Sequence, residues 1–241
     1  MTTPEKRSGF AQGLYVESAT KQEELGTKRS LHDGREFVYA QIGASAIATG
    51  KLAMMADAST NVINVVPDAD YAIGAKVIGL TVTSHTAVEN YFEDGYFWVQ
   101  DGVGEGQCYQ IEASTALSSS TALSVTLKEG LRIAITAAGS ECSVIQNPAK
   151  SVITSVDEEN FPVGVTVRAM TALYYGWLQT KGRCAVLDAG TLTVWAMVVP
   201  GTAAGSVKDL PSTLDIDMPI VGQCLAAGET GSYAMVNLNI I

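Results

Sequence analysis

From residue 37 onward, the sequence consists of short apolar runs separated by glycines and polar turns. These runs are enriched in Val, Ile and Thr, which favour strands because their branched side chains pack well on a pleated surface. Apolar residues at helical spacing occur only in a short stretch at 86–92. The pattern predicts an all-β protein with at most one or two short helices, built from β-sandwich or β-barrel modules.

The apolar runs form two series of predicted strands. The first series comprises residues 37–41, 45–48, 52–55, 62–66, 77–83, 96–100, 107–111 and 131–134. The second comprises residues 152–156, 165–169, 175–179, 183–187, 192–199, 220–226 and 233–240. The stretch 113–124 is rich in Ser, Thr and Ala and is interpreted as a surface loop or a domain junction. The strand pattern restarts after residue 147, so we expect β modules at 37–147 and 148–241, with a single β domain as the alternative.

Residues 1–36 differ from the rest of the chain. They contain six basic and six acidic residues and few aliphatic ones, so the whole net charge of −10 belongs to residues 37–241. A segment with little apolar surface to bury does not build a core of its own. We therefore predict that residues 1–36 form an extended N-terminal arm.

Two segments of the sequence, which we call the two phrases, are similar to each other. Trp98 is followed by a glycine-containing stretch and Cys108, and Trp177 is followed by a similar stretch and Cys184. Each phrase is interpreted as a β-hairpin whose Trp and Cys share a row that faces the core. The third tryptophan, Trp195, lies in an apolar run and is also expected in the core. The four cysteines, including Cys142 and Cys224, form no C-x-x-C pair and are interpreted as reduced, buried thiols.

The two histidines offer little for catalysis. His32 precedes Asp33-Gly34, a turn signal, and is interpreted as a solvent-exposed or turn-stabilising imidazole. His85 follows Ser84 in an extended context, where adjacent side chains point to opposite faces, so a dyad is not expected. The glycines at 102–106 are interpreted as a hairpin tip, because a phosphate loop requires a helix behind it.

Carboxylates at alternate positions share one face of a strand and are candidate cation ligands. The pairs are Asp68 with Asp70 and Asp215 with Asp217. Calcium takes about 6–8 oxygen ligands, and neither pair lies in a calcium loop, so both are interpreted as polar turns or solvated segments. We predict no catalytic residue, no metal site and no cofactor.

The composition argues against nucleic acid and membranes as partners. The net charge of −10 and a pI of about 4.6 repel phosphate backbones and anionic lipid surfaces. No apolar run approaches the ~20 residues of a membrane span, and residues 1–10 lack the apolar stretch of a signal peptide. We expect the chain to be made in a cytoplasm. Charged residues are only 17% of the chain, which suggests that partners cover part of its surface.

Several phrases after residue 30 resemble the decoration, or cement, proteins on the heads of tailed bacteriophages. These are LHDGREFVY at 31–39, the stretch 46–52, YFWVQ at 96–100, YGWLQ at 175–179, GSVKDLP at 205–211 and IVGQCL at 220–225. The resemblance implies a β-rich virion subunit, commonly a homotrimer, that binds the major capsid protein on the outer surface of the capsid and reinforces it. It also implies that no catalytic residues are present.

Two alternatives stay open from sequence. One is a tail, baseplate or fibre component of the same kind of virion. The other is a carbohydrate-binding module or a hydrolase that uses carboxylates distant in sequence, such as Glu93, Asp94 and Asp101. Carboxylate enzymes need no histidine, so the shortage of histidine alone does not exclude the second alternative.

Overall fold

The computed structural model describes residues 9–56, 62–83, 85–118, 122–156, 161–190, 192–211, 218–229 and 231–240. These residues form sixteen strands and no helix, so the all-β prediction is confirmed. The stretch 86–92, where apolar residues fall at helical spacing, forms turns and an isolated bridge at Ala87 and no helix. The described part of the chain contains no helix of the length and apolarity that a membrane crossing requires.

The chain divides into two compact units. The first unit combines Met1–Ala56 with Ala149–Ile241, and the second is Asp57–Pro148. The expected boundary near residue 148 coincides with a boundary between units, whereas the boundary at residue 36 does not. The difference arises because strands from the N-terminal quarter pair with strands from the C-terminal half, which makes the first unit discontinuous in sequence.

The first unit contains a sheet of ten strands that curls into a half-barrel. The strands are β1 Lys28–Ser30, β2 Glu36–Gln41, β3 Leu52–Met54, β10 Ile153–Thr154, β11 Pro162–Thr166, β12 Tyr175–Leu187, β13 Met197–Pro200, β14 Val207–Asp209, β15 Gly222–Ala226 and β16 Tyr233–Asn239. Their order is β10-β3-β11-β12-β16-β15-β13-β14, and β2 joins β12 to β1. Strand β12 is therefore the centre of this unit, since it pairs with β2, β11 and β16.

Strand β12 differs from the hairpin that was predicted around Trp177 and Cys184. The two runs at 175–179 and 183–187 form one continuous strand of thirteen residues. Gly182 adopts a positive φ of 81°, and the register shifts between Gln179 and Lys181. The buried Gln179 amide spans this irregularity by donating to the carbonyl oxygens of Lys181 and Arg183, at 3.0 and 2.9 Å. The glycine therefore lies within a continuous strand where a turn was expected.

The second unit contains a six-stranded sheet. The strands are β4 Val62–Val65, β5 Val77–Thr81, β6 Tyr96–Gly102, β7 Cys108–Ser114, β8 Ala122–Leu127 and β9 Ser140–Ile145, in the order β4-β9-β6-β7-β8-β5. The glycines at 102–106 lie at the tip between β6 and β7, as expected. The loop predicted at 113–124 is partly wrong because it contains the start of β8, and the strand predicted at 131–134 is absent.

A buried glutamine holds the tip of this hairpin. The Oε1 atom of Gln107 accepts hydrogen bonds from the Tyr109 hydroxyl and from the amides of Arg132 and Ile133, at 2.6, 3.1 and 2.9 Å. Its Nε2 atom donates to the carbonyl oxygen of Gly104 at 2.8 Å. One side chain thus joins the β6–β7 tip to the loop after β8.

The described residues of the N-terminal arm lie against the sheet of their own unit. Gln12 is buried, and its Oε1 accepts the Tyr39 hydroxyl at 2.7 Å while its Nε2 donates to the Val16 carbonyl at 2.6 Å. The Gln12 carbonyl oxygen accepts the indole N–H of Trp177 at 3.3 Å. The Phe10 ring meets the Trp177 ring edge-on, with centroids 5.2 Å apart. Polar and aromatic contacts therefore anchor a segment that has few aliphatic residues.

Replacement of Gln12 by leucine is expected to lower the free energy of unfolding by about 1–3 kcal/mol, because the buried Tyr39 hydroxyl loses its acceptor. Gln22 is the matched control, since its side chain is exposed and Gln22→Leu should change stability by about 0.5 kcal/mol or less. Urea denaturation followed by tryptophan fluorescence measures both. Equal losses in the two variants would contradict the anchoring role of Gln12.

Candidate interaction surface

The outward side of four neighbouring strands in the first unit forms a broad face. Register pairs Arg183 with Asn237, Asn237 with Gln223, and Gln223 with Met197, so these four side chains form a row across β12, β16, β15 and β13. Strand β16 alternates strictly between exposed and buried residues. We call this surface the outer face and define it by Lys181, Arg183, Trp195, Met197, Ile220, Gln223, Met235, Asn237 and Asn239.

Trp195 stands at the edge of the outer face with 68% of its surface exposed. The prediction that it packs in the core is wrong, because β13 begins only at Met197 and the preceding turn directs the indole outward. Its φ of 73° lies in the left-handed region, where a bulky side chain is strained. Two hydrogen bonds hold the backbone there. The backbone N–H of Trp195 donates to the Cys224 carbonyl oxygen at 2.8 Å, and the side-chain amide of Gln223 donates to the Trp195 carbonyl oxygen at 2.9 Å.

An open groove of about 420 Å³ runs along the outer face. Met197 and Ile220, each about half exposed, form its apolar part, and Lys181, Gln223 and Asn239 supply polar groups. The Lys181 ammonium lies 3.5 Å from the Glu36 carboxylate. The exposed Arg183 guanidinium has no partner among the described residues. The face thus combines apolar, amide and cationic groups without a carboxylate at its centre.

The second unit carries a smaller, acidic groove of about 220 Å³, which we call the acidic groove. It is lined by Val66, Asp101, Gly102, Ala138, Gly139, Ser140 and Glu141. Asp101 lies directly opposite Glu141 on the neighbouring strand, and like charges in such pairs destabilise a sheet. The Gly102 amide donates to both Asp101 and Glu105, at 2.9 and 3.3 Å, so a third carboxylate contacts a residue that lines the groove.

The histidines and carboxylates weighed from sequence are dispersed. His32 is exposed in the first unit, and His85 is partly buried in the second. The Asp68 carboxylate accepts the Tyr71 hydroxyl at 2.6 Å, whereas Asp70 accepts the Ala137 amide at 2.9 Å. These contacts agree with the interpretation of the pair as a polar turn. Asp215, Asp217 and Ser84 lie outside the described residues, and within the described ranges no group of acidic, His or Cys side chains is arranged to hold a metal ion.

The carboxylates that were considered for a hydrolase do not converge. Glu93 and Asp94 precede β6, whereas Asp101 lies near its other end. The five residue-to-residue steps from Tyr96 to Asp101 span about 17 Å of extended strand. Asp94 is buried and lies 3.4 Å from the Lys128 ammonium. Asp101 is therefore too far from Glu93 and Asp94 for these carboxylates to act together on one bond of a substrate.

The prediction of buried thiols is confirmed for Cys142, Cys184 and Cys224, and it is wrong for Cys108, which is exposed. Burial raises the pKa of Cys142 and of Cys184 to about 12. Burial, followed by the charges of Asp209 and Asp188, also raises the pKa of Cys224. Trp98 pairs with Cys108, and this pair lies on the exposed side of its hairpin, whereas Trp177 and Cys184 are buried. The echo between the two phrases therefore does not extend to their structural roles.

The comparisons identify no relative. No protein-family model, curated protein or solved structure matches the chain. The two surfaces described above therefore carry the functional argument.

The exposed fractions predict different consequences for two tryptophans. Trp195→Asn should change the free energy of unfolding of the subunit by less than about 1 kcal/mol, because asparagine tolerates the left-handed backbone and little indole area is buried. Trp177→Phe should lower it by about 1–3 kcal/mol, because it removes buried volume and the hydrogen bond to Gln12. Urea unfolding compares the two. A Trp195→Asn variant as unstable as Trp177→Phe would show that Trp195 is needed for packing.

The cysteine environments predict one reactive thiol per folded chain. At pH 8 a thiol with a pKa of about 12 is ionised in about one molecule in ten thousand, so Cys142 and Cys184 should react with a disulfide reagent only after unfolding. Cys108 should react rapidly, and Cys108→Ser should remove the rapid phase. Rapid reaction of two or more thiols in the native protein would contradict the burial that the structure shows.

Proposed function

We propose that this protein is a structural virion component that binds the outer surface of a tailed-phage capsid lattice and stabilises the head. Its partners in this role are the major capsid protein and further copies of itself, as a homotrimer, and it performs no catalysis. The sequence phrases that resemble decoration proteins support the proposal. Those phrases include IVGQCL at 220–225, which contains Ile220 and Gln223 of the outer face, and YGWLQ at 175–179, which begins β12, so the resemblance covers part of the unit with the exposed face.

The observation that carries the proposal is the exposed, strained Trp195 at the edge of the outer face. Tryptophan, methionine and arginine are enriched in the centres of protein interfaces, and the outer face presents Trp195, Met197, Met235 and Arg183 together. A strained residue persists where the surrounding structure holds it, and such residues concentrate at functional sites. An exposed indole held in this way is suited to contact with another protein.

A lattice makes modest contacts effective. A subunit that meets several lattice neighbours at once, or that binds as an oligomer, gains avidity through high effective concentration. A weakly charged, partly apolar face suits such contacts because few charges lose their hydration on binding. Reinforcement of the shell then follows from bridging of neighbouring capsid subunits.

The proposal is tested on phage particles prepared with and without this protein. Particles that lack it should release their DNA at a lower temperature than complete particles, and addition of the purified protein should restore the difference. Labelled protein should be present in hundreds of copies over the whole head, and tens of copies at one vertex would indicate the tail alternative. Equal heat resistance of the two preparations would contradict the proposal.

Trp195→Asn gives a residue-level test in the same system. We expect binding to depleted particles to weaken by at least about tenfold, since buried tryptophans at interfaces contribute about 2 kcal/mol or more. Thr20→Asn, in an exposed part of the N-terminal segment, is the matched control and should bind as the unchanged protein does. Unchanged binding of Trp195→Asn would exclude Trp195 from the lattice contact.

A further inference from the structure

The formal charge of the protein is distributed unevenly between its two units. The second unit, residues 57–148, contains eleven acidic and three basic residues, a net charge of −8 out of the total of −10. The first unit therefore carries only −2. Two copies that approach through their second units repel each other strongly, whereas an approach that pairs a first unit with a second unit meets much less repulsion.

The carboxylates of the acidic groove repel one another and have no cationic partner among the described residues. Asp101 and Glu141 are direct neighbours across two strands, and Glu105 shares the Gly102 amide with Asp101. Within the described residues, no Lys or Arg forms an ion pair with any of these three carboxylates. A cation supplied from outside the subunit would relieve the repulsion between them.

The acidic groove also presents apolar surface beside its carboxylates. Val66 lines the groove, and Val103, next to Gly102 at the hairpin tip, is about half exposed. Gly102 has a positive φ of 81°, and a Cβ atom there would collide with the Gly139 carbonyl oxygen, so the backbone of the two loops is closely packed. The groove is therefore a fixed depression with an apolar side and a negative rim.

The outer face has the complementary set of groups. Arg183 is exposed and unpaired among the described residues, and Lys181 has only the partly exposed contact with Glu36 at 3.5 Å. Trp195, Met197 and Ile220 supply apolar side chains next to this cationic row. An arginine that enters a depression lined by carboxylates gains charge-assisted hydrogen bonds while the neighbouring apolar groups exclude water.

We propose that the outer face of one copy binds the acidic groove of a second copy, with Arg183 placed between Asp101 and Glu141. This contact joins two different surfaces, so after the first contact one chain keeps a free acidic groove and the other keeps a free outer face. Such heterologous contacts build closed rings or open chains, and not isolated two-fold dimers. The contact deepens the proposed self-association, but it does not require that the protein bind a capsid.

Charge exchange in the purified full-length protein tests the contact. Arg183→Glu alone and Glu141→Arg alone should each weaken self-association at least about tenfold, because each places like charges together. The double variant, Arg183→Glu with Glu141→Arg, should recover most of the association, since both surfaces are then reversed in every chain. Sedimentation velocity over a range of protein concentrations measures each constant. Raising the salt concentration from about 0.05 M to about 0.5 M should weaken the self-association of the unchanged protein and of the double variant alike.

Matched charge changes elsewhere serve as controls. Lys28→Glu alters an exposed cation on β1 of the first unit, and Glu89→Arg alters an exposed carboxylate of the second unit. Both should associate as the unchanged protein does. The proposal is overturned if the unchanged protein is monomeric at every concentration, or if the single variants self-associate normally. It is also overturned if the controls lose as much self-association as the single variants, or if the double variant self-associates no better than the single variants. A mixture of the two single variants should also associate, because the unchanged outer face of Glu141→Arg can bind the unchanged acidic groove of Arg183→Glu.

The outcomes separate this contact from the capsid role. Loss of self-association in Arg183→Glu with retained heat protection of particles would support the contact and show that lattice binding does not depend on it. Normal self-association of every charge variant would overturn the contact, whatever the particles show. Absence of particle binding by an unchanged protein that self-associates through these groups would contradict only the capsid role.

Discussion

The fold depends on the satisfaction of buried backbone polar groups where strands are interrupted. Long connections and bulges leave amides and carbonyls without strand partners, and an unpaired buried group costs about 1–3 kcal/mol. Buried glutamine side chains solve this problem at three places, since an amide both donates and accepts. Gln12 anchors the N-terminal segment, Gln107 joins a hairpin tip to a loop, and Gln179 spans the irregularity in β12. Among the described residues, no buried side-chain nitrogen or oxygen atom lacks a partner.

The position of β12 explains why the first unit is discontinuous in sequence. One thirteen-residue strand pairs with β2 along its first half and with β16 along its second half. The N-terminal and C-terminal parts of the chain therefore meet on the same strand, and the second unit is inserted between them. Gly182 lies where the pairing of β12 changes from β2 to β16, and glycine adopts the positive φ at this point without the strain that a side chain would add.

Local sequence pattern predicted the β class and most strands, and it failed where distant residues decide the outcome. Runs such as 37–41 and 233–240 coincide closely with β2 and β16, because alternation or β-branched residues mark them directly. Strand β8 was missed because Ser and Thr dominate its neighbourhood, although Leu123, Val125 and Leu127 alternate with less buried residues. The anchoring of Gln12 relies on partners 27 and 165 positions away, which no local window contains. Trp195 was misplaced for a related reason, since only the start of β13 determines that the indole points outward.

The uneven charge of the two units resolves a conflict between solubility and contact. A protein with few charged residues needs enough net charge to remain dispersed, yet charge on a contact surface must lose its hydration when partners bind. The second unit carries a net charge of −8, which makes copies of the protein repel one another. The first unit is left nearly neutral, with an exposed apolar and amide surface. The same division creates opposite surfaces on one chain, because among the described residues Asp101 and Glu141 form no ion pair with a cation and Arg183 forms none with a carboxylate. Association through unlike surfaces then follows from charge placement, and the strained Trp195 adds apolar area at the same face.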